Sequence, residues 1–161
     1  MMSQLLFEPL APEVAAPTRI VDLFIAGVPK PQPRARAFAL KTDDGKYVAR
    51  NKISGTAEGW KDVIARELKA VIPWEPLECP VAMELQFYLP RPQDLMRKRD
   101  PEGPIPHTKA GDIDNFIKAV MDCLTQLGLW HDDKQVFRVS ASKYFAAKHG
   151  RTGMRIVVET V

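Results

Sequence analysis

Hydrophobic and polar positions along the chain predict an α+β fold. Within Val81–Leu89, apolar residues recur at every second position with Glu84 and Gln86 between them, which is typical of a strand with one buried face. Segments rich in β-branched and aromatic residues predict three more strands, the last of them antiparallel to the one before it: Arg19–Val28, Gln135–Phe145 and Met154–Val161. The pair Asp44-Gly45 lies between two short strand-like segments and predicts a hairpin over residues 37–50.

Two segments have the 3.6-residue periodicity of amphipathic helices. Thr56–Ile72 has Thr56 as a predicted N-cap and ends before Pro73, whereas Ile113–Leu127 ends before Gly128. The order of elements predicts a single domain with one mixed or antiparallel sheet and two main helices on one face. We expect residues 1–18 to be a poorly ordered lead-in and residues 19–161 to form the domain.

The Pro-rich segment 90–111 separates the Val81–Leu89 strand from the second helix. It contains five prolines and the basic run Arg97-Lys98-Arg99. Loops of this length inside a domain are usually functional or disordered, so we expect a mobile loop near the substrate path.

Composition excludes several classes of protein. The 161 residues are 45% hydrophobic and 27% charged, with a net charge of +3, as expected for a folded soluble domain. No apolar run is long enough to span a bilayer. The N-terminal segment lacks the basic start of a signal peptide, and the two cysteines do not form a C-x-x-C pair. The phosphate-binding loop G-x-x-x-x-G-K-[ST] is also absent. We expect a reduced, cytoplasmic protein without a small-molecule cofactor.

Basic residues concentrate between Lys30 and Lys52, where seven Lys or Arg accompany two Asp. Three of them, Lys30, Arg34 and Arg36, follow the end of the first strand without an intervening acid. This local excess favours a surface that contacts phosphates, although an ordinary solvated surface has the same pattern.

Acidic residues flank the second helix. Asp112 lies at its N-cap, and Asp114, Lys118 and Asp122 form one stripe at i, i+4 and i+8. Taken alone, these residues are explained by helix capping and an ordinary solvated charge ladder.

A second acidic pair, Asp132-Asp133, follows Gly128. Carboxylates converging from both ends would suit Mg²⁺ or Mn²⁺, which prefer oxygen ligands. A fifteen-residue helix is about 22 Å long, so convergence requires a geometry that the sequence does not supply.

The chain resembles the RusA-type Holliday-junction resolvases, the crossover junction endodeoxyribonucleases, in an ordered set of residues. The set is Asp112-Ile113-Asp114-Asn115, Lys118, Asp122, Leu124 and Asp132-Asp133-Lys134-Gln135-Val136. The early Val28-Pro29-Lys30 segment and Lys143 are similar to that family too. The resemblance extends over about residues 20–160.

The resemblance implies a homodimeric, Mg²⁺-dependent endonuclease that binds branched DNA and cuts four-way junctions symmetrically in recombination and repair. It implies essential metal ligands at Asp112, Asp114 and Asp133, with Asp132 and Asp122 as supporting acids. It also implies a catalytic or phosphate-contacting role for Lys118 and DNA contacts by Lys143. Two alternatives remain open, a DNA-binding protein without catalysis and a nuclease specific for flaps or forks.

Overall fold

The structure is a computed structural model that describes residues 16–53, 56–109 and 111–161. Within these residues the chain forms seven strands and two α-helices. In chain order they are β1 Thr18–Ala26, β2 Ala35–Lys41, β3 Tyr47–Ile53, α1 Glu58–Leu68, β4 Val81–Leu89, β5 Ile105–Pro106, α2 Ile113–Gln126, β6 Val136–Phe145 and β7 Gly153–Thr160. Single 3₁₀ turns occupy Gln93–Leu95 and Asp133–Gln135.

Five strands form a mixed sheet in the order β1-β7-β4-β6-β5. Strands β4 and β6 are parallel and are joined through α2, which makes a β-α-β crossover. This crossover places β6 along one edge of β4, and β7 pairs with the other edge and with β1. The last strand therefore runs opposite to β6, as predicted, but is separated from it by β4.

The core lies between one face of this sheet and both helices. Alternate β4 residues Val81, Met83, Leu85 and Phe87 are buried, and the ring centroid of Phe87 is 5.1 Å from that of Phe116 on α2. The apolar arc of α2 packs here because its spacing keeps these residues on one side of the helix. The predicted α+β architecture is confirmed.

Strands β2 and β3 form a separate two-stranded sheet. Their turn has Gly45 at φ +82°, a conformation that glycine adopts without a steric cost. The predicted hairpin is confirmed, but its strands do not join the main sheet. Side chains near its turn are open to solvent, with Tyr47 72% exposed.

Predicted and observed boundaries differ at both ends of α1, which stops at Leu68 and not at Ile72, and at the start of β1. Helix α1 is capped at Ala57, not at Thr56, although the Thr56 hydroxyl accepts a hydrogen bond from the Glu58 amide. Strand β1 begins at Thr18, within the predicted lead-in, and residues 1–15 of that lead-in lie outside the described residues.

Neither α-helix of the described chain has the length and apolar character needed to cross a bilayer.

The predicted mobile loop after β4 is held by specific hydrogen bonds. The Arg91 guanidinium donates to the carbonyl oxygens of Leu95, Pro101 and Gly103. Strand β5 within the same segment pairs with the end of β6. The segment is therefore a tethered connection that leads the chain to the start of α2.

Candidate active site

The start of α2 presents two acidic side chains to solvent. Asp112 has the extended backbone of an N-cap, yet its carboxylate makes no capping hydrogen bond, which leaves both oxygens available. Asp114 follows in the first helical turn, with its side chain 58% exposed. Gly111 has φ +99°, and a Cβ there would lie 2.9 Å from the Phe116 ring, so only glycine fits this turn into the helix.

Arg34 connects the basic segment to this acidic pair. Its Nε donates to Asn115 Oδ1 at 2.8 Å, and its terminal nitrogen donates to the Asp114 carboxylate. The amide of Gln32 also donates to the Asn115 carbonyl at 2.9 Å, which fixes the Pro-rich segment against the helix. A groove of about 450 Å³ results, lined by Gln32, Pro33, Arg34, Asp114, Asn115 and Lys118.

Lys143 lies beneath the turn that leads into α2. Its Nζ donates to the carbonyl oxygen of Lys109 at 3.1 Å and to that of Gly111. The ammonium therefore holds the backbone next to Asp112. The sequence predicts a DNA contact for this lysine, and the contacts within the chain add a positioning role that its spacing did not reveal.

The far end of α2 carries the second acidic pair. Asp132 caps the 3₁₀ turn by accepting from the Lys134 amide at 2.9 Å, and Gln135 reaches back to the Asp132 amide. The Lys134 amide lowers the pKa of the Asp132 carboxyl below its ordinary value. The two acids thus occupy a capped turn, not the start of the strand, and capping accounts for Asp132.

Asp133 has no comparable structural role. Its side chain forms no salt bridge within the described chain. It borders a groove of about 330 Å³ together with Asp122, Thr125, Gln126, His131 and Asp132. Three carboxylates and one imidazole therefore line this open groove after the end of α2, without being grouped closely enough to hold a metal within the described chain.

Asp122 is held by two lysines. Lys118 Nζ lies 3.4 Å from its Oδ1, which confirms the predicted i, i+4 contact. Lys61 Nζ on α1 lies 4.0 Å from its Oδ2, and the Lys61 side chain is only 8% exposed. Sequence patterns did not predict this role for Lys61, because a lysine beside an apolar stripe gives no sign of its partner on another helix. The only local signal was Glu58, whose carboxylate lies 3.5 Å from the same ammonium.

The two acidic pairs lie at opposite ends of α2. The helix has 14 residues, which corresponds to about 21 Å. Strand β6 returns along it, but Asp133 precedes that strand and Lys143 lies near its end. Within the described residues of one chain, no group of three His, Cys, Asp or Glu is placed to hold a metal. Asp112 and Asp114 therefore do not come together with Asp133 in the part of one chain that the structure describes.

Comparison with known proteins identifies the family. The family model described as "Endodeoxyribonuclease RusA" matches residues 26–157, most of the chain. The chain belongs to this family. The predicted resemblance and the predicted nuclease class are therefore confirmed.

Three relatives give the range of similarity within and around this family. The crossover junction endodeoxyribonuclease RusA of Escherichia coli strain K12 is 29% identical over 107 residues, which are 66% of this chain and 76% of the relative. The protein of that name from Enterobacteria phage 82 is 30% identical over the same shares. The Bacillus subtilis protein YqaN is 31% identical over 72 residues, 42% of this chain and 50% of the relative.

The predicted DNA-contacting residues lie in different surroundings. Lys30 is exposed between two prolines, and Arg34 borders the groove that contains Asp114. Arg36 lies in β2, but its side chain is outside the part of the structure that is described. Lys118 projects from α2 into the groove that also contains Arg34 and Asp114. Basic side chains thus border the acids at the start of the helix.

Proposed function

We propose that this member of the RusA family cuts four-way DNA junctions with the help of a bound divalent metal ion. Three observations support this function: the family, the similarity to crossover junction endodeoxyribonucleases, and carboxylates bordered by basic side chains. Junction cleavage requires two cuts related by symmetry, and a homodimer with two equivalent sites supplies them.

The carboxylates fit a hard divalent cation. Asp112 and Asp133 are exposed, and neither carboxylate is occupied by a cap or a salt bridge within the described chain. Oxygen ligands of this kind favour Mg²⁺, with Mn²⁺ able to replace it. When bound, the ion would polarise the scissile phosphodiester and make a water molecule more acidic.

The metal site is completed across the dimer. A single chain separates its two acidic pairs by roughly the length of α2, about 21 Å. A two-fold axis that sets two copies of α2 side by side in opposite directions brings the start of one helix next to the end of the other. Asp112 and Asp114 of one protomer then face Asp132 and Asp133 of its partner. This separation is the observation that carries the dimeric site.

The outer edge of β6 offers a surface for this pairing. In the described chain that edge is paired only near its end, with β5 at Tyr144 and Phe145 and at Lys143, whose carbonyl oxygen accepts a hydrogen bond from the His107 amide at 3.0 Å. Next to the open part, Phe137 is 54% exposed and Val139 is 37% exposed. Antiparallel pairing of two β6 strands would bring the residues before Val136 of one chain towards Lys143 of the other, over about 23 Å. That arrangement also sets the two α2 helices antiparallel.

Three basic residues have distinct roles in this arrangement. Lys118 lies one helical turn after Asp114 and is positioned to neutralise charge on the phosphodiester in the groove. Arg34 holds Asp114 until DNA and metal bind. Lys143 keeps the backbone before Asp112 in place.

Mixed dimers test the shared site. Asp112→Asn and Asp133→Asn chains, carrying different affinity tags, are co-expressed, and the heterodimer is isolated by two affinity steps. If each site combines Asp112 of one chain with Asp133 of the other, the heterodimer retains one intact site. We expect both homodimers to be inactive and the heterodimer to nick one strand of a synthetic junction in Mg²⁺.

The matched control pairs Asp112→Asn with Asp114→Asn. Both substitutions then fall in the half-site contributed by the start of α2, so both composite sites are damaged and the heterodimer stays inactive. An inactive Asp112→Asn/Asp133→Asn heterodimer, with an active wild type, would refute the shared site. A wild type that binds the junction and leaves it uncut in Mg²⁺ and Mn²⁺ would refute the proposal of metal-dependent junction cleavage.

A further inference from the structure

Three aromatic side chains form a row on the sheet face opposite the helices. Phe24 on β1, Tyr88 on β4 and Tyr144 on β6 alternate with residues that point into the core, such as Ile25 and Phe87. The rings of Tyr88 and Tyr144 are stacked, with centroids 5.7 Å apart and planes inclined by 24°. Phe24 continues the row at 6.2 Å from Tyr88. We call these three residues the aromatic platform.

A glycine on the intervening strand makes this row continuous. Strand β7 lies between β1 and β4, and its Gly153 pairs with Tyr88 on one side and Ala26 on the other. A Cβ at Gly153 would lie 2.7 Å from the Phe24 ring. The absence of a side chain there lets Phe24 lean over β7 towards Tyr88.

Two rings of the platform, Phe24 and Tyr88, border an open groove that also contains the positively charged Arg151. The groove has a volume of about 250 Å³ and is lined by Phe24, Tyr88, Pro104, Ala147, Gly150 and Arg151. The Arg151 guanidinium lies 5.4 Å from the Phe24 centroid and forms no salt bridge within the described chain. Asp22, on the same strand as Phe24, is paired with Arg155.

Partly exposed aromatic rings beside an arginine without a salt bridge in the described chain suit one class of ligand. Bases of single-stranded nucleic acid stack on such rings, and arginine binds the adjoining phosphate. Duplex DNA does not offer its base faces, so the ligand is an unpaired nucleotide. We propose that the aromatic platform binds an unpaired base of DNA, with Arg151 contacting its phosphate.

The platform lies at the same end of the sheet as the start of α2. Tyr144 follows Lys143 in β6, and Lys143 reaches the turn before Asp112 on the opposite face. A strand displaced at the branch point could therefore pass from the groove beside Asp114, over β5 at the edge of the sheet, to the platform. The choice of DNA as the polymer rests on the proposed function, whereas base stacking itself does not require cleavage.

Binding of a dodecamer of thymidylate in EDTA tests the platform without cleavage. Tyr88→Leu and Tyr144→Leu keep an apolar side chain and remove the ring, and Trp74→Leu removes a fully exposed ring elsewhere. We expect each tyrosine variant to lose at least about fivefold in affinity by fluorescence anisotropy. The affinity of Trp74→Leu for the dodecamer should change less than about twofold. The affinity of every variant for blunt duplex DNA should also change less than about twofold.

Arg151→Gln provides a second measurement that does not disturb the rings. Loss of one phosphate contact to a single strand reduces the slope of log affinity against log salt by about 0.7. Arg66→Gln, on the exposed side of α1, is the matched control and should keep the wild-type slope. Tyrosine variants that bind the dodecamer as wild type does, while melting at lower temperature, would show that the platform is packing alone. An unchanged slope for Arg151→Gln would also overturn the proposal.

Discussion

Lys143 donates a hydrogen bond from Nζ to the carbonyl oxygen of Gly111, the residue before Asp112. The contact joins the end of β6 to the turn that begins α2. Charged donors strengthen hydrogen bonds to carbonyl oxygens, so this bond fixes the backbone from which Asp112 projects. A lysine that the sequence assigns to DNA is thus also a support for the acidic site.

Replacing Lys143 by Met should loosen this turn. The loss of its charged hydrogen bonds is expected to destabilise the fold by about 1–2 kcal/mol and to reduce junction cleavage at least about tenfold. Urea unfolding and single-turnover cleavage measure the two effects, and amide exchange at residues 111–113 should accelerate. Lys69→Met, at an exposed position after α1, serves as control. Normal exchange in Lys143→Met would argue against the positioning role.

Arg34 should compete with the metal ion for Asp114. Its guanidinium donates to that carboxylate, so a cation that binds there must displace a positive charge. We expect Arg34→Gln to bind Mn²⁺ several-fold more tightly in the absence of DNA and to bind junctions more weakly. Calorimetry and anisotropy give the two affinities, and Arg66→Gln should change neither. Weaker Mn²⁺ binding by Arg34→Gln would contradict the competition.

The free edge of β6 gives a direct test of the dimer surface. Lysines on an edge strand are a known means of preventing edge-to-edge pairing. Val139→Lys and Phe137→Lys should therefore sediment as folded monomers and lose cleavage, because each site would lack its partner's carboxylates. Trp74→Lys, on a fully exposed loop residue, should remain dimeric. Dimeric, active Val139→Lys protein would place the interface elsewhere.

Local patterns predicted the elements better than their arrangement. The alternation at Val81–Leu89 matches β4 to the residue, and the start of α2 at Ile113 follows from Asp112 as N-cap. These features depend on neighbours within a few residues. The insertion of β7 between β1 and β4 depends on pairing across more than 60 residues, which periodicity does not encode.

The acidic site shows the same limit. The pattern of acids located both ends of α2, and the family resemblance gave them a role. Neither the pattern nor the resemblance revealed that the α2 helix keeps Asp112 and Asp133 apart, because the distance between them is set by the fold. Asp132 illustrates a signal that was present: its spacing to Gln135 is that of a capping box.

His107 should make stability depend on pH. The residue is 8% exposed, its Nδ1 has no hydrogen-bond partner in the described chain, and its ring lies 4.4 Å from Phe145. Burial first, and then the positive charge of Lys143, hold the pKa of His107 below its ordinary value of 6.5. The unfolded chain therefore takes up a proton at a higher pH than the folded chain does.

Stability should consequently fall as pH decreases below about 6.5, with a slope of up to about 1.4 kcal/mol per pH unit. Urea unfolding between about pH 5 and about pH 8 measures this slope, and the carboxyls with lowered pKa, Asp22, Glu102 and Asp132, lose their contributions only at lower pH. His107→Gln should flatten the profile, whereas His149→Gln, at an exposed position, should retain it. A profile that is equally steep in His107→Gln would assign the pH dependence to another group.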